Sequence, residues 1–163
     1  DNSEQALDTL FDALCGKGIK YDLPQQTLNV LSMMQGEVVG GNISVLYSLL
    51  GSDIFPDVEG KVLFLEDLDE YLYHIDRMFY NLKRNGYFDD LNGLIIGGMT
   101  DMHDNQIPFG YDVKQIILDL CKEYNFPICF DFPAGHIPDN RALKLGTKVS
   151  LNINNESTSL KYI

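Results

Sequence analysis

Three short apolar segments constrain the fold of this chain more than any other feature. They are KVLFL at residues 61–65, LII at 94–96 and the segment 127–130. A continuous apolar run of this length is typical of a strand in a sheet that is covered on both faces. Helical patterns at residues 69–85 and 112–124 separate the three segments. Strands that alternate with helices in this way predict βαβ units and a mainly parallel sheet.

Shorter elements extend this α/β pattern at both ends of the chain. The capping-box spacing of Asn2 and Gln5 predicts a first helix. Its apolar stripe consists of Ala6, Leu7, Leu10, Phe11 and Leu14. Further elements are predicted as extended pieces at 19–30, a strand at 37–39, a short helix at 44–50 and an antiparallel hairpin at 148–153 and 160–163. No repeat or linker interrupts the series, so one domain is expected.

Charge and cysteine content exclude several classes of partner. The 163 residues include 24 acidic and 12 basic side chains, for a net charge of −12. Such a surface repels nucleic acid and anionic lipid, so we expect neither as a partner. No apolar run approaches the roughly 20 residues that cross a bilayer. Cys15, Cys121 and Cys129 are odd in number and form no CxxC, which favours buried free thiols and a cytoplasmic location.

Two polar residues follow apolar strands at positions where α/β sheets collect functional groups. Glu66 comes directly after KVLFL, and His136 lies in the loop after the third strand. A carboxylate that accepts a hydrogen bond from an imidazole fixes its tautomer and leaves the second ring nitrogen free to take a proton. The spacing therefore suggests two members of a nucleophile–base–carboxylate set. An ordinary loop histidine and an acidic helix start are the alternative interpretations.

The nucleophile of such a set is missing from the pattern. No serine lies in a strand–turn–helix elbow, and Ser44 is expected to cap a helix. The group Asp101, His103 and Asp104 reads as a solvated loop, since its spacing matches no zinc pattern. Neither a phosphate-binding loop nor a dinucleotide motif is present. We therefore expect no metal and no cofactor.

Four segments together resemble the LD-carboxypeptidase family, the serine peptidases that include the microcin-C self-immunity peptidases. They occur in the family's order and span most of the chain. The segments are GGNIS at 40–44 with LLG at 49–51, GKVLFLED at 60–67 with IDRM at 75–78, GLIIG at 93–97, and PAGH at 133–136 with Asn140, Ala142, Leu143, Leu145 and Gly146. Lys144 stands where the family often has proline.

The resemblance implies a fold and a set of site residues. Family members have an N-terminal flavodoxin-like domain that holds the serine and a C-terminal β/α barrel-like (swivelling) domain that supplies a glutamate and a histidine. Residues 1–163 would be the C-terminal domain alone: α/β, mainly parallel, with a terminal antiparallel hairpin. By motif, Glu66 would be the triad carboxylate and His136 the triad base, with Asp67 and Glu70 as alternatives for the carboxylate. Asn42 of the GGN segment is the candidate substrate-binding residue.

The resemblance also implies an activity. The whole enzyme would hydrolyse the L,D-amide bond to the terminal D-Ala of murein tetrapeptide, in peptidoglycan recycling in the cytoplasm, without a metal and as a homodimer. The missing serine-bearing domain would be the essential partner, and this chain alone would be inert. Two alternatives stay open: a non-catalytic peptide-binding module, and an immunity peptidase for a microcin-type antibiotic.

Overall fold

The computed structural model describes residues 2–24 and 32–163. The described chain contains four helices and seven strands in one sheet with the order β1-β7-β6-β2-β3-β4-β5. In chain order the elements are α1 (Glu4–Leu14), β1 (Lys20–Pro24), β2 (Ser32–Asn42), α2 (Ile43–Ser48), β3 (Val62–Leu68), α3 (Leu72–Arg84), β4 (Gly93–Thr100), α4 (Val113–Cys121), β5 (Ile128–Cys129), β6 (Lys148–Ile153) and β7 (Ser157–Tyr162). Residues 25–30 of the predicted extended segment lie outside the described residues.

The long strand β2 joins two differently built parts of the sheet. Its second half, residues 38–42, pairs in parallel with β3, and β3, β4 and β5 continue the parallel arrangement. Its first half, residues 32–37, pairs antiparallel with β6, which pairs with β7, which in turn pairs with β1. The expected α/β fold with a parallel core and a terminal antiparallel hairpin is therefore confirmed. The antiparallel part is larger than the hairpin, because β1 and the start of β2 also belong to it.

The side chains of β3 alternate between two apolar cores. Leu63 and Leu65 pack against helices α2, α3 and α4, whereas Val62 and Phe64 face the opposite side of the sheet. The second core also takes Tyr21 of β1 and Cys129 of β5, the two edge strands. Both edges therefore contribute to one core, and the sheet curls around it as a barrel-like fold requires. This alternation decides which side of the sheet each residue at the end of β3 reaches.

The first helix differs from its prediction in two ways. Its N-cap is Ser3 rather than Asn2, since the Ser3 hydroxyl accepts a hydrogen bond from the Ala6 N–H. Only Ala6 of the apolar stripe is buried, and the other four side chains are exposed. Those four are Leu7, Leu10, Phe11 and Leu14. The periodicity correctly predicts a helix, but the described residues do not cover its apolar face.

The central helix α3 begins later than the sequence pattern predicts. Asp69 adopts a left-handed conformation with φ 63°, and its N–H donates to the Thr100 carbonyl. Tyr71 then forms a bridge with His103, which keeps the chain extended up to Leu72. Tertiary contacts to the loop after β4 thus delay the helix. Among the described helices, none combines the length and apolar character needed to cross a bilayer.

Candidate active site

Glu66 lies within β3, before the last two residues of the strand, at a point where the pairing with β4 is irregular. The register with β4 shifts between Leu65 and Asp67, and Glu66 stands opposite Asn42 on β2. Bulges of this kind re-aim side chains and are frequent beside active sites. Glu66 lies on the same side as Val62 and Phe64, whereas Asp67 faces α2. Two adjacent carboxylates therefore reach different partners.

The structure brings Glu66 and His136 together. Nδ1 of His136 lies 2.7 Å from Oε2 of Glu66, and the backbone N–H of His136 donates to the same oxygen at 3.2 Å. A carboxylate only accepts hydrogen bonds, so Nδ1 carries the proton and Nε2 is left as an acceptor. The Glu66 side chain is 7% exposed, whereas that of His136 is 52% exposed. The ring is thus held from the buried side and accessible from solvent.

Contacts to its backbone hold the loop that carries His136 in place. Gly135 has φ 108°, and a Cβ there would lie 2.7 Å from Oε2 of Glu66, so only glycine fits this close approach. The Gly135 N–H donates to Oδ1 of Asn140 at 3.0 Å. The Thr100 hydroxyl donates to the His136 carbonyl at 2.9 Å. Sequence reasoning did not assign these anchoring roles, although Gly135 and Asn140 stand in the PAGH segment and just after it.

Asp67, one alternative for the triad carboxylate, serves α2 instead of His136. It is 3% exposed and accepts hydrogen bonds from Asn42 Nδ2 at 2.9 Å and from the Ser44 hydroxyl at 2.6 Å. Asn42 is also the N-cap of α2, since its Oδ1 accepts from the Val45 N–H. The expected capping role of Ser44 is therefore wrong: the cap is Asn42, and Ser44 joins α2 to β3.

Glu70, the other alternative, pairs with a different histidine. Its Oε2 lies 2.6 Å from Nδ1 of His74, one helical turn away, and its Oε1 accepts from Ser44 at 3.1 Å. His103 of the predicted polar loop bonds to Asp69. Within residues 2–24 and 32–163, no three His, Cys, Asp or Glu side chains are grouped so as to hold a metal ion.

The cysteines separate into two environments. Cys121 and Cys129 are buried, as expected, and burial raises the pKa of each thiol to about 12. Cys15 is exposed at the end of α1, so the expectation of a buried thiol is wrong there. The cause is the uncovered face of α1.

Comparison with known proteins bears on this geometry. A family model for the LD-carboxypeptidase C-terminal domain matches residues 35–151. A probable murein peptide carboxypeptidase of Bacillus subtilis is 36% identical over 72% of this chain and 37% of its own length. The microcin C7 self-immunity protein MccF of Escherichia coli is 26% identical over 78% of this chain and 37% of its own length. The chain therefore spans well under half of these curated relatives.

A solved structure shows the same fold. The muramoyltetrapeptide carboxypeptidase of Oxalobacter formigenes superposes with a TM-score of 0.90, at 23% identity, over 99% of this chain and 55% of that one. The family model covers most of the sheet and both residues of the pair that the fold brings into contact. By that match and by its identity to the Bacillus relative, this chain belongs to the LD-carboxypeptidase family, within which it matches the C-terminal domain.

Proposed function

We propose that this chain supplies the histidine and the orienting carboxylate of a serine-type LD-carboxypeptidase, and that the serine belongs to another domain. The observation that carries the proposal is the contact of 2.7 Å between Nδ1 of His136 and the buried carboxylate of Glu66. This pair has the base and the orienting group of a hydrolytic triad. The His136 side chain is 52% exposed, so a hydroxyl on a second domain can approach the ring nitrogen Nε2 that faces away from Glu66.

The chemistry follows from the two ring nitrogens. The serine hydroxyl attacks the carbonyl carbon of the scissile amide while Nε2 of His136 takes its proton. The same nitrogen then protonates the leaving amine, so that the D-amino acid departs and an acyl-enzyme remains. Water repeats the sequence and releases the shortened peptide. Glu66 stabilises the imidazolium in both halves through the hydrogen bond to Nδ1.

Murein tetrapeptide, with its terminal D-Ala, is the proposed substrate. The name of the Bacillus subtilis relative, at 36% identity, supports a murein peptide more strongly than the microcin relative, at 26%, supports a peptide antibiotic. A peptide-binding module without chemistry would have no need of a buried carboxylate aligned on an exposed imidazole. We therefore rank both alternatives below murein peptide hydrolysis.

Location and assembly belong to the same proposal. The three free thiols, one of them exposed, suit a reducing compartment, which supports the cytoplasm, where murein peptides are recycled. We also propose that the complete enzyme is a homodimer, as the family resemblance implies. Light scattering of the purified complete enzyme tests this directly, and a monomer at micromolar concentration would reject the proposed homodimer.

The experiment that tests the function supplies the missing serine. The chain is fused behind the part of the Bacillus subtilis relative that its match leaves uncovered, and D-Ala release from murein tetrapeptide is measured with D-amino-acid oxidase. We expect hydrolysis by the fusion, none by the chain alone, and a loss on the order of 10⁴-fold or more in the His136→Ala fusion. A well-folded fusion whose turnover does not depend on His136 would reject the proposal.

A further inference from the structure

Regular pairing between β3 and β4 does not extend to Glu66. At this point β4 places two residues, Gly97 and Gly98, opposite the single residue Glu66. An extra residue of this kind interrupts the ladder and bends the strand that carries it. On its other side, Glu66 stays in register with Asn42 of β2. The direction of the Glu66 side chain therefore depends on contacts other than the ladder with β4.

Asp67, the next residue of β3, makes such contacts on the opposite face of the sheet. Its Oδ1 accepts hydrogen bonds from Asn42 Nδ2 at 2.9 Å and from the Leu68 N–H at 2.8 Å. Its Oδ2 accepts from the Ser44 hydroxyl at 2.6 Å and from the Ser44 N–H at 3.1 Å. Because Asn42 stands opposite Glu66, the Asp67 carboxylate joins β2 to β3 at the position of Glu66 itself.

Burial gives the Asp67 side chain a single favourable orientation. Asp67 is 3% exposed, and a buried carboxylate needs hydrogen bonds to replace the water that it loses. The donors on β2, β3 and α2 supply them to both oxygens. Hydrogen bonds to an ionised group are about twice as strong as those between neutral groups. The carboxylate is therefore held toward the start of α2.

The orientation of Asp67 determines that of Glu66. Successive side chains of a strand point to opposite faces of the sheet. With Asp67 held toward α2, Glu66 is directed to the other face, where its Oε2 lies 2.7 Å from Nδ1 of His136. A rotation of the β3 backbone that released Asp67 would also move the Glu66 carboxylate away from the imidazole.

We propose that Asp67 is a positioning residue of the candidate active site, and that its buried carboxylate fixes β3 so that Glu66 faces His136. Asp67 acts through the backbone of β3 rather than on the substrate. Ser44 shares this role, because its hydroxyl and its N–H both donate to Asp67. The effect on turnover rests on the proposed function, whereas the effect on the hydrogen bond between Glu66 and His136 does not.

The ¹⁵N spectrum of His136 in this chain tests the proposal without a serine. Asp67→Asn keeps the size of the side chain, but in either orientation of the amide its NH₂ group faces a backbone N–H, that of Ser44 or that of Leu68. We expect the Nδ1–H tautomer of His136, which the Glu66 carboxylate favours, to lose population to the Nε2–H tautomer. An unchanged His136 spectrum in folded Asp67→Asn would overturn the proposal.

Ser44→Ala provides a milder test, which decides the matter if Asp67→Asn does not fold. It removes the hydrogen bond of 2.6 Å to Asp67 and keeps the backbone N–H that also donates there. We expect a smaller loss of the Nδ1–H tautomer of His136. In the double variant the loss should be less than the sum of the two single losses, because both changes act through one carboxylate. No loss in Ser44→Ala, or an additive loss in the double variant, would reject the proposal.

Two control variants separate positioning from general damage. Leu160 is fully buried in β7, and β6 and β2 lie between β7 and β3. Leu160→Ala should lower the stability measured by urea denaturation and leave the His136 spectrum unchanged. Glu70→Gln alters a carboxylate that also contacts the Ser44 hydroxyl but lies outside β3, and it should leave the His136 spectrum unchanged too. Spectral changes in either control as large as in Asp67→Asn would reject the positioning role.

The fusion that supplies the serine gives the catalytic readout. We expect kcat for D-Ala release to fall about 10- to 100-fold in Asp67→Asn with little change in KM, because a small misplacement of the base slows the chemical step more than it weakens binding. A rise in KM at constant kcat would reject the positioning role. An unmodified fusion without activity would reject the proposed function, whereas a His136 spectrum that depends on Asp67 would still support the positioning of Glu66.

Discussion

A methyl group at Gly135 would lie 2.7 Å from Oε2 of Glu66, the oxygen that holds both the backbone and the ring of the next residue. The hydrogen bond between Glu66 and His136 therefore requires a residue without a side chain directly before the histidine. The Glu66 carboxylate and the backbone conformation of Gly135 therefore depend on each other. It also makes the His136 loop sensitive to very small changes.

Gly135→Ala should disturb the pair without removing either member. The backbone there has φ 108°, and the added methyl group meets three atoms of Glu66 within 3 Å, so we expect a destabilisation of about 1–3 kcal/mol. Urea denaturation of the chain measures the stability. Gly110→Ala, also at positive φ but with nothing within 4 Å of its Cβ, is the control for backbone strain alone. Equal losses in the two variants would contradict the role of the Glu66 contact.

Glu66→Gln should disable the proposed hydrolysis, whereas Glu70→Gln should not. In the serine-supplemented fusion we expect kcat to fall on the order of 10³–10⁴-fold for Glu66→Gln, because an amide cannot stabilise the imidazolium as a carboxylate does. Glu70 bonds to His74 and Ser44 instead, so its change should cost less than about tenfold.

A spectroscopic measurement on the chain separates orientation from general damage. The ¹⁵N signals of His136 should shift from the Nδ1–H tautomer toward a mixture in Glu66→Gln and stay unchanged in Glu70→Gln. Glu66→Asp should restore part of the tautomer preference. Identical His136 spectra in the unmodified chain and in Glu66→Gln would count against an orienting role for Glu66.

Asn140→Ala should slow turnover by loosening the His136 loop. The side chain accepts a hydrogen bond from the Gly135 N–H at 3.0 Å, and its loss should cost about 1 kcal/mol of loop stability. We expect kcat of the fusion to fall about tenfold with little change in KM, since Asn140 holds the loop of the proposed base. Asn125→Ala, in the exposed turn before β5, is the matched control. A rise in KM at constant kcat would point to peptide binding instead.

Thiol reactivity should divide the three cysteines sharply. Cys121 and Cys129 are buried and have a thiol pKa near 12, so at pH 8 both stay protonated and unreactive. Only Cys15 should react with Ellman's reagent in the native protein, and all three should react in guanidinium chloride. A Cys15→Ser variant should therefore show no fast phase. Rapid labelling of that variant would mean that one of the buried sites opens readily.

Much of the parallel core could be predicted from local pattern. The apolar runs at 61–65 and 94–96 are strands, and Asp112 caps α4 as predicted. The local pattern does not predict the first half of β2, because its partner β6 follows more than a hundred residues later and no local signal marks that pairing. The pattern also places the start of α3 too early, since contacts of Asp69 and Tyr71 with residues at the end of β4 and in the loop after it override helix propensity.

The candidate site was predictable in part. The positions of Glu66 and His136 after apolar runs predict that the two side chains lie close together. The pattern does not decide which of Glu66, Asp67 and Glu70 contacts the histidine. Period-two alternation along β3 would have separated Glu66 from Asp67, because the residue after Leu65 must face away from the helices. The ion pair between Lys114 of α4 and Asp131, which follows β5, has no signal in the sequence. It depends on how α4 and the end of β5 pack.

Gly40 shows how a residue remote from the chemistry can govern it. It stands opposite Phe64, and any side chain there would collide with the Phe64 carbonyl, so β2 and β3 meet in one alignment that brings Asn42 beside Glu66. A slip of one residue would turn every side chain of β2 to the other face of the sheet. Natural selection on the proposed activity would therefore act at Gly40, where a mutation removes none of the candidate site's side chains and yet undoes the alignment on which they depend.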